Sequence, residues 1–91
     1  MRMRIRWTPA AAADLQNISD YLKDHRPHYR QPTMRKLYEA IGALRRWPYR
    51  CRTGREEGTR ELTLLPYVAV YRIEEHSIDI LRVYHGAQDR P

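Results

Sequence analysis

The chain is short of the residues that stabilise small exported proteins, and it has no long apolar segment. Cys51 is its single cysteine, so one chain can form neither an internal disulfide nor a cysteine-based metal site. No stretch approaches the roughly 18 to 20 apolar residues that a membrane-spanning helix needs. The segment 1–7 alternates apolar residues with arginine and lacks the continuous apolar run of a signal peptide. We expect a cytoplasmic protein that is neither exported nor bound to a membrane.

Acidic residues are also scarce, because 11 Asp and Glu are set against 17 Lys and Arg and leave a net charge of +6. Only Lys23 and Lys36 are lysines, so arginine, which binds phosphate and carboxylate groups in a bidentate manner, carries most of the positive charge. This composition predicts a nucleic acid or an acidic protein as the partner. The sequence has no glycine-rich phosphate loop, no pair of acid–base carboxylates and no metal-ligand spacing, so we expect no cofactor and no metal.

A chain of 91 residues predicts one domain over 1–91, because it can enclose only one modest core. Alternation of apolar residues with arginine over 3–7 predicts a half-buried strand that ends at Trp7. Thr8 as N-cap and Pro9 at the first helical position predict a helix that runs to about Asp24.

The rest of the chain predicts a second helix and three strands. The segment 25–32 is polar and contains two prolines, so we interpret it as a connector, and apolar residues then repeat at helical spacing from Met34 until Trp47 and Pro48. We expect Tyr49–Gly58 to be an exposed basic loop. Strands are expected near Thr59–Leu65, Val68–Glu74 and Ser77–His85.

This order of elements, β-α-α-β-β-β, predicts an α+β fold. A curved, mainly antiparallel sheet needs one covered face to have a core, so a helical hairpin should pack against that face. The other face is then left for binding.

Arginine and histidine side chains on the predicted sheet and loop are the candidate partner-binding groups. Those on the strands are Arg60, Arg72, Arg82 and His85, and those in the loop are Arg50, Arg52 and Arg55. Arg60 could contact the partner, or it could pair across the sheet with Glu61, Glu74 or Asp79. Arg82 is expected to project from the open face. The loop interleaves cations with aromatic residues, as nucleic-acid surfaces do, although most charge runs are only solvated.

RNA cleavage would need a base, an acid and cations near the phosphate, and His85, Glu61 and the arginines could supply them. A histidine that ends a strand and makes a structural hydrogen bond is the favoured alternative. Tyr71 and Tyr84 could stack on bases, but packing is the favoured role of alternating aromatic residues on strands.

Several segments, in order along nearly the whole chain, resemble the RelE/ParE superfamily of bacterial toxins from type II toxin–antitoxin modules. The matching segments are Ile5–Leu15 (IRWTPAAAADL), Gly54-Arg55, Gly58–Leu62 (GTREL), Tyr67, Val70-Tyr71-Arg72, Ile80–Val83 (ILRV) and His85. The resemblance implies the same fold of two helices on a curved sheet. It also implies a cognate antitoxin that wraps the toxin, and the charge of +6 favours an acidic antitoxin.

The superfamily divides into RelE-like, ribosome-dependent mRNA endonucleases and ParE-like inhibitors of DNA gyrase. The chain has Val68 or Ala69 where the nucleases usually hold an arginine, and Glu61 and Thr63 where they often carry lysines. The end of the chain, 85–90, also looks like the ParE-like and plasmid-stabilisation branch. The resemblance therefore favours a gyrase inhibitor without an active site of its own.

Two alternatives stay open at this point. One is a nuclease with the ribosome and mRNA as partners and with His85, Arg60, Arg82 and Glu61 as candidate catalytic residues. The other is a non-toxic member of the superfamily that only binds its antitoxin.

Overall fold

The computed structural model describes residues 3–86 and has two helices on one face of a five-stranded sheet. The elements are β1 (Arg4–Trp7), α1 (Pro9–His25), α2 (Pro27–Gly42), a 3₁₀ turn (Ala43–Arg45), β2 (Arg52–Thr53), β3 (Thr59–Leu64), β4 (Tyr67–Ile73) and β5 (Ser77–His85). The strand order is β1-β5-β4-β3-β2, with β1 parallel to β5 and the other pairs antiparallel. The predicted α+β fold with a mainly antiparallel sheet is confirmed.

The start of α1 is fixed to the sheet by Thr8. Its hydroxyl oxygen accepts a hydrogen bond from the Ala11 N–H at 3.2 Å, which is the N-cap interaction that the sequence predicts. The same hydroxyl donates to the Ile80 carbonyl at 2.7 Å, so the cap also joins α1 to β5. The predicted end of β1 at Trp7 and the predicted start of α1 at Pro9 are both confirmed.

The predicted connector at 25–32 is wrong, because only Arg26 separates α1 from α2. Pro27 occupies the first turn of α2, where its missing N–H removes no helical hydrogen bond. Pro32 lies inside the helix and leaves the His28 carbonyl without its helical donor. Pro32 is exposed, so water can reach this part of the helix.

The predicted loop at Tyr49–Gly58 is also partly wrong, because it contains the edge strand β2. Arg52 and Thr53 pair with Glu61 and Arg60 of β3, which makes the element order β-α-α-β-β-β-β. Two glycines allow the tight return from β2 to β3. A Cβ atom at Gly54 would overlap the Thr59 hydroxyl, and Gly58 has a φ of 81°.

The core lies between the helices and the covered face of β1, β3, β4 and β5. Its most buried side chains are Ala11, Leu15, Leu37, Ile41, Leu44, Tyr67, Ala69, Tyr71, Ile78, Ile80 and Val83. A bulge at Leu81 lets Ile80 and Val83, three positions apart, face the same side of the sheet. The bulge turns Arg82 to the open face, where it lies opposite Val70.

Candidate partner-binding site

The four cationic residues predicted on the strands do not form one cluster. Strand register places Arg72 and Arg82 on the open face of the sheet. Arg60 is aligned with buried Tyr71 and His85 with Tyr67, so both belong to the face that the helices cover. Strand register therefore divides the predicted site between the two faces, but the Arg82 side chain bonds to Asp14 of α1 and lines a groove together with His85.

Arg82 does not project freely, because it forms a two-point ion pair with Asp14 of α1. Its Nε and Nη2 atoms donate to the two carboxylate oxygens at 2.8 and 3.0 Å, and the Val83 N–H donates to the same carboxylate at 2.9 Å. The hydrogen bonds and the negative charge of Asp14 raise the pKa of Arg82. Asp14 thus holds α1 against the part of β5 that extends beyond β1.

Arg60 stabilises the segment that leads into β2. Its Nη1 atom donates to the carbonyls of Tyr49 and Cys51 at 3.1 and 2.7 Å, and its guanidinium lies 5.2 Å from the centre of the Tyr49 ring. Tyr71 on β4 also supports this segment, since its hydroxyl donates to the Pro48 carbonyl at 2.7 Å. Burial raises the pKa of Tyr71 well above its usual value of 10.0. Packing, the favoured role of Tyr71, is confirmed.

The loop arginines also divide into different environments. Arg52 binds Glu61 through Nε and Nη2 at 3.2 and 2.9 Å, and Glu61 is only 5% exposed. Arg50 is exposed and lies 6.0 Å from the centre of the Trp47 ring. Arg55 is exposed and makes no ion pair within residues 3–86.

The candidate acid–base pair of a nuclease is not brought together. Glu61 lies opposite Val70 on the open face, whereas His85 lies opposite Tyr67 on the covered face. The ring centroids of Tyr67 and His85 are 5.7 Å apart in an edge-to-face contact. The sheet itself therefore separates the two groups that would have to share one phosphate.

A groove of about 880 Å³ runs between the helical hairpin and the ends of β4 and β5, and we name it the hairpin groove. Its lining includes Tyr21, Arg26, Tyr29, Tyr67, Arg82 and His85. Tyr21 and Tyr29 are 58% and 59% exposed. Sequence reasoning missed Arg26 and Tyr29 as site residues, because it placed both in a connector.

Arg72, the remaining predicted residue, is half-buried on the open face. A Cβ atom at Gly58 would lie 3.8 Å from its Nε atom, so the Arg72 side chain passes close to this glycine.

Within residues 3–86, no group of three His, Cys, Asp or Glu side chains could hold a metal ion. No helix in the same range has both the length and the apolar content to cross a membrane. The predicted similarity at 87–90 lies outside the described residues.

Comparison with known proteins identifies the family. Residues 5–90 match the model of the ParE toxin of the type II toxin–antitoxin system parDE. Y4kP of Sinorhizobium fredii is 37% identical over 92 residues, which cover 99% of this chain and 95% of Y4kP.

Two solved structures of toxin–antitoxin systems have the same fold. The chromosomal ParDE system of P. aeruginosa matches with a TM-score of 0.82 and 28% identity, over 92% of this chain and 96% of that one. The RelBE2 toxin–antitoxin complex of Mycobacterium tuberculosis matches with a TM-score of 0.66 and 28% identity, over 93% and 99% of the two chains. The predicted superfamily and its ParE-like branch are confirmed: the chain belongs to the ParE toxin family of type II toxin–antitoxin systems.

Proposed function

We propose that this toxin acts in the cytoplasm by inhibiting DNA gyrase, and that a cognate acidic antitoxin neutralises it. The observation that carries the proposal is the separation of Glu61 and His85 on opposite faces of the sheet. A toxin of the ParE family without an assembled acid–base pair is expected to act by binding its target and not by cleaving RNA.

The cations around these two residues support the same interpretation. Arg82 is bound to Asp14, and Arg60 is bound to the carbonyls of Tyr49 and Cys51. Nuclease relatives usually hold an arginine on the middle strand, but this chain has buried Val68 and Ala69 there. Stabilisation of a phosphorane would need a preorganised cation at the reacting phosphate, and the loss of one such donor costs about 10²- to 10³-fold in rate.

The hairpin groove is the surface that we assign to the antitoxin. Exposed tyrosines supply flat contact area, and Arg26 and Arg82 place positive charge beside it. An antitoxin segment that carries apolar and acidic side chains would complement both features. The net charge of +6 would also accelerate its association. An antitoxin that is lost faster than its toxin would account for the plasmid stabilisation that the family resemblance implies.

The test compares two activities of the same purified protein. We expect it to inhibit DNA supercoiling by purified gyrase and to leave ribosome-bound mRNA intact. Addition of the small acidic protein that we expect to be encoded directly upstream should restore supercoiling. Codon-periodic mRNA cleavage by the wild-type protein, abolished in His85→Ala, would reject the gyrase proposal and support the nuclease alternative.

A further inference from the structure

The net positive charge of the chain is concentrated in one segment, 40–55, which lies between Glu39 and Glu56. Five of the 17 lysines and arginines lie in this segment and none of the 11 acidic residues does, so it supplies +5 of the net charge of +6. The segment runs from the last turn of α2 through β2. A partner that is attracted by the charge of this protein is therefore expected to meet it here.

Most arginines of this segment are available to a partner. Arg45, Arg46, Arg50 and Arg55 are exposed, and none of them forms an ion pair within residues 3–86. The fifth, Arg52, is bound to Glu61. Glu61 is only 5% exposed, so its carboxylate does not neutralise the other four arginines.

Two hollows of this surface share Ala43 in their lining. The first, of about 660 Å³, is positively charged, because its lining consists of Gly42, Ala43, Arg45 and Arg46. The second, of about 470 Å³, is mainly apolar, and its lining includes Ala40, Leu44, Trp47, Arg50 and Leu62. A basic hollow thus borders one that has an aromatic wall.

Two aromatic rings are exposed beside these arginines. Trp47 is 56% exposed and Tyr49 is 68% exposed, although tryptophan is on average a highly buried residue. The Arg50 guanidinium lies 6.0 Å from the centre of the Trp47 ring, and the Arg60 guanidinium lies 5.2 Å from the centre of the Tyr49 ring. Each ring is therefore a flat contact surface with a cation next to it.

The backbone that carries the two rings is held by side chains of β3 and β4. Arg60 donates to the carbonyls of Tyr49 and Cys51, and the Tyr71 hydroxyl donates to the Pro48 carbonyl. These bonds stabilise the conformation in which both rings are exposed. Binding of a partner then requires little further ordering of this segment, which lowers the entropic cost of association.

We propose that the segment 42–50 binds single-stranded nucleic acid, with its exposed arginines on the phosphates and the rings of Trp47 and Tyr49 on the bases. Successive phosphates of one strand match a row of arginines, and an unpaired base offers a flat face on which an exposed ring can stack. The bases of a duplex stack on one another, so a duplex would use the cations and leave the two rings without a counterpart.

A single strand also fits this surface better than an acidic peptide does. A peptide with one carboxylate for each arginine would have few apolar side chains left to cover two aromatic rings. Every nucleotide, in contrast, carries both a charge and a flat base. The inference goes beyond the proposed function, and only the source of the strand rests on it. A gyrase–DNA complex would supply DNA, whereas the nuclease alternative would supply mRNA.

The experiment measures the binding of fluorescent oligonucleotides to the purified chain by anisotropy. The probe is a thymidine oligonucleotide of about twelve nucleotides, a length within the site sizes of single-strand binding domains. An abasic oligonucleotide of the same length keeps the phosphates and removes the bases. We expect it to bind at least about fivefold more weakly, because it cannot stack on the rings. Three to four phosphate contacts predict a slope of about −2 to −3 for the logarithm of the association constant against that of the salt concentration.

One pair of variants tests the contribution of charge. Arg45→Ala, Arg46→Ala should raise the Kd about 10- to 30-fold at about 0.1 M salt and make the salt slope shallower by about 1.4. Arg4→Ala, Lys23→Ala removes the same charge elsewhere and should change the Kd less than about threefold. Arg4 lies on β1, at the opposite edge of the sheet from β2, and Lys23 lies in α1.

A second pair of variants tests the contribution of stacking. Trp47→Ala should raise the Kd for the thymidine probe about fivefold or more and leave the Kd for the abasic probe unchanged. Trp47→Phe keeps an aromatic ring and should retain most of the affinity. Circular dichroism checks that each variant folds.

Three results would overturn the proposal, and all of them are obtained with the wild-type chain, so they do not depend on the folding of a variant. One is equal affinity for the thymidine and abasic probes, because the rings would then contribute nothing. Another is equal or tighter binding of duplex DNA of the same length. The third is displacement of the probe by polyglutamate at the same concentration of negative charge, because an acidic protein would then be the partner.

Thymidine and uridine oligonucleotides of equal length identify the source of the strand. Tighter binding of the thymidine probe supports the site and assigns it to DNA, as gyrase inhibition would require. Tighter binding of the uridine probe also supports the site, but it assigns the site to RNA and counts against the gyrase proposal. Gyrase is absent from these assays, so failure of the gyrase proposal and failure of the nucleic-acid site are observed separately.

Discussion

The sheet has two places where one strand ends and its neighbour continues, and the chain treats them differently. β1 ends at Trp7, opposite Ile80, while β5 continues to His85. β2 has only two residues and pairs with Arg60 and Glu61, while β3 continues beyond this pairing to Leu64. The helix α1 covers the first exposed edge, and a pocket of about 470 Å³ lies beside the second.

The cover over β5 consists of two polar side chains. The Thr8 hydroxyl donates to the Ile80 carbonyl at 2.7 Å, and Asp14 accepts from the Val83 N–H at 2.9 Å while it binds Arg82. The backbone groups of β5 beside α1 are therefore partly occupied from within the chain. Nothing equivalent reaches the Thr63 backbone within residues 3–86. This difference indicates that contacts within the chain stabilise the β5 edge in a way that they do not stabilise the β3 edge at Thr63.

The largest expected effect concerns packing under the covered edge. Leu15 is buried in α1 beneath the sheet, so Leu15→Ala should lower the free energy of unfolding by about 2 to 5 kcal/mol. The matched variant is Leu65→Ala, directly after the end of β3. Leu65 is 81% exposed, so its truncation should change stability by less than about 0.5 kcal/mol. Urea denaturation measures both values, and similar losses would show that the two regions do not differ in packing.

The next effect concerns the carboxylate that covers the β5 edge. Asp14→Ala leaves the Val83 N–H and the Arg82 guanidinium without their acceptor, and it should cost about 1 to 3 kcal/mol. Most of this loss should come from the backbone N–H, because Arg82 is half-exposed and water screens its ion pair.

Asp20→Ala is the matched control for this change. Asp20 is exposed and accepts one hydrogen bond, at 2.9 Å, from Gln16. Its removal should change stability by less than about 0.5 kcal/mol. Hydrogen exchange gives an independent reading, since the Val83 amide should lose protection in Asp14→Ala and keep it in Asp20→Ala. Unchanged protection in Asp14→Ala would contradict the covering role.

The sequence predicts features whose signals are local. Thr8 and Pro9 mark the start of α1 without reference to any distant residue, and three of the strands show clear β-rich runs. β2 has only two residues, which is too short for an alternation to be visible. A proline within a helical pattern predicts a break, but α2 continues through Pro32, whose turn is exposed, and the sequence alone does not show that exposure.

The candidate site was less predictable because its contacts join distant parts of the chain. Asp14 and Arg82 are 68 positions apart, so no spacing rule connects them. The face of each side chain on β5 depends on the bulge at Leu81. The three-residue step from Ile80 to Val83 was a visible signal of this bulge, since an unbroken strand would place these two residues on opposite faces.

The smallest expected effect concerns Tyr71, which holds the segment before β2 through its hydrogen bond to the Pro48 carbonyl. Tyr71→Phe removes the hydrogen bond to the Pro48 carbonyl and should cost about 0.5 to 1.5 kcal/mol near neutral pH. Because burial raises the pKa of Tyr71, the unfolded chain releases the hydroxyl proton first, and the wild type loses stability as the pH rises above about 10. The variant lacks this proton, so the advantage of the wild type should shrink between about pH 8 and pH 11. Urea denaturation at both pH values measures the two differences. A constant or growing advantage would contradict the raised pKa of the buried Tyr71 hydroxyl.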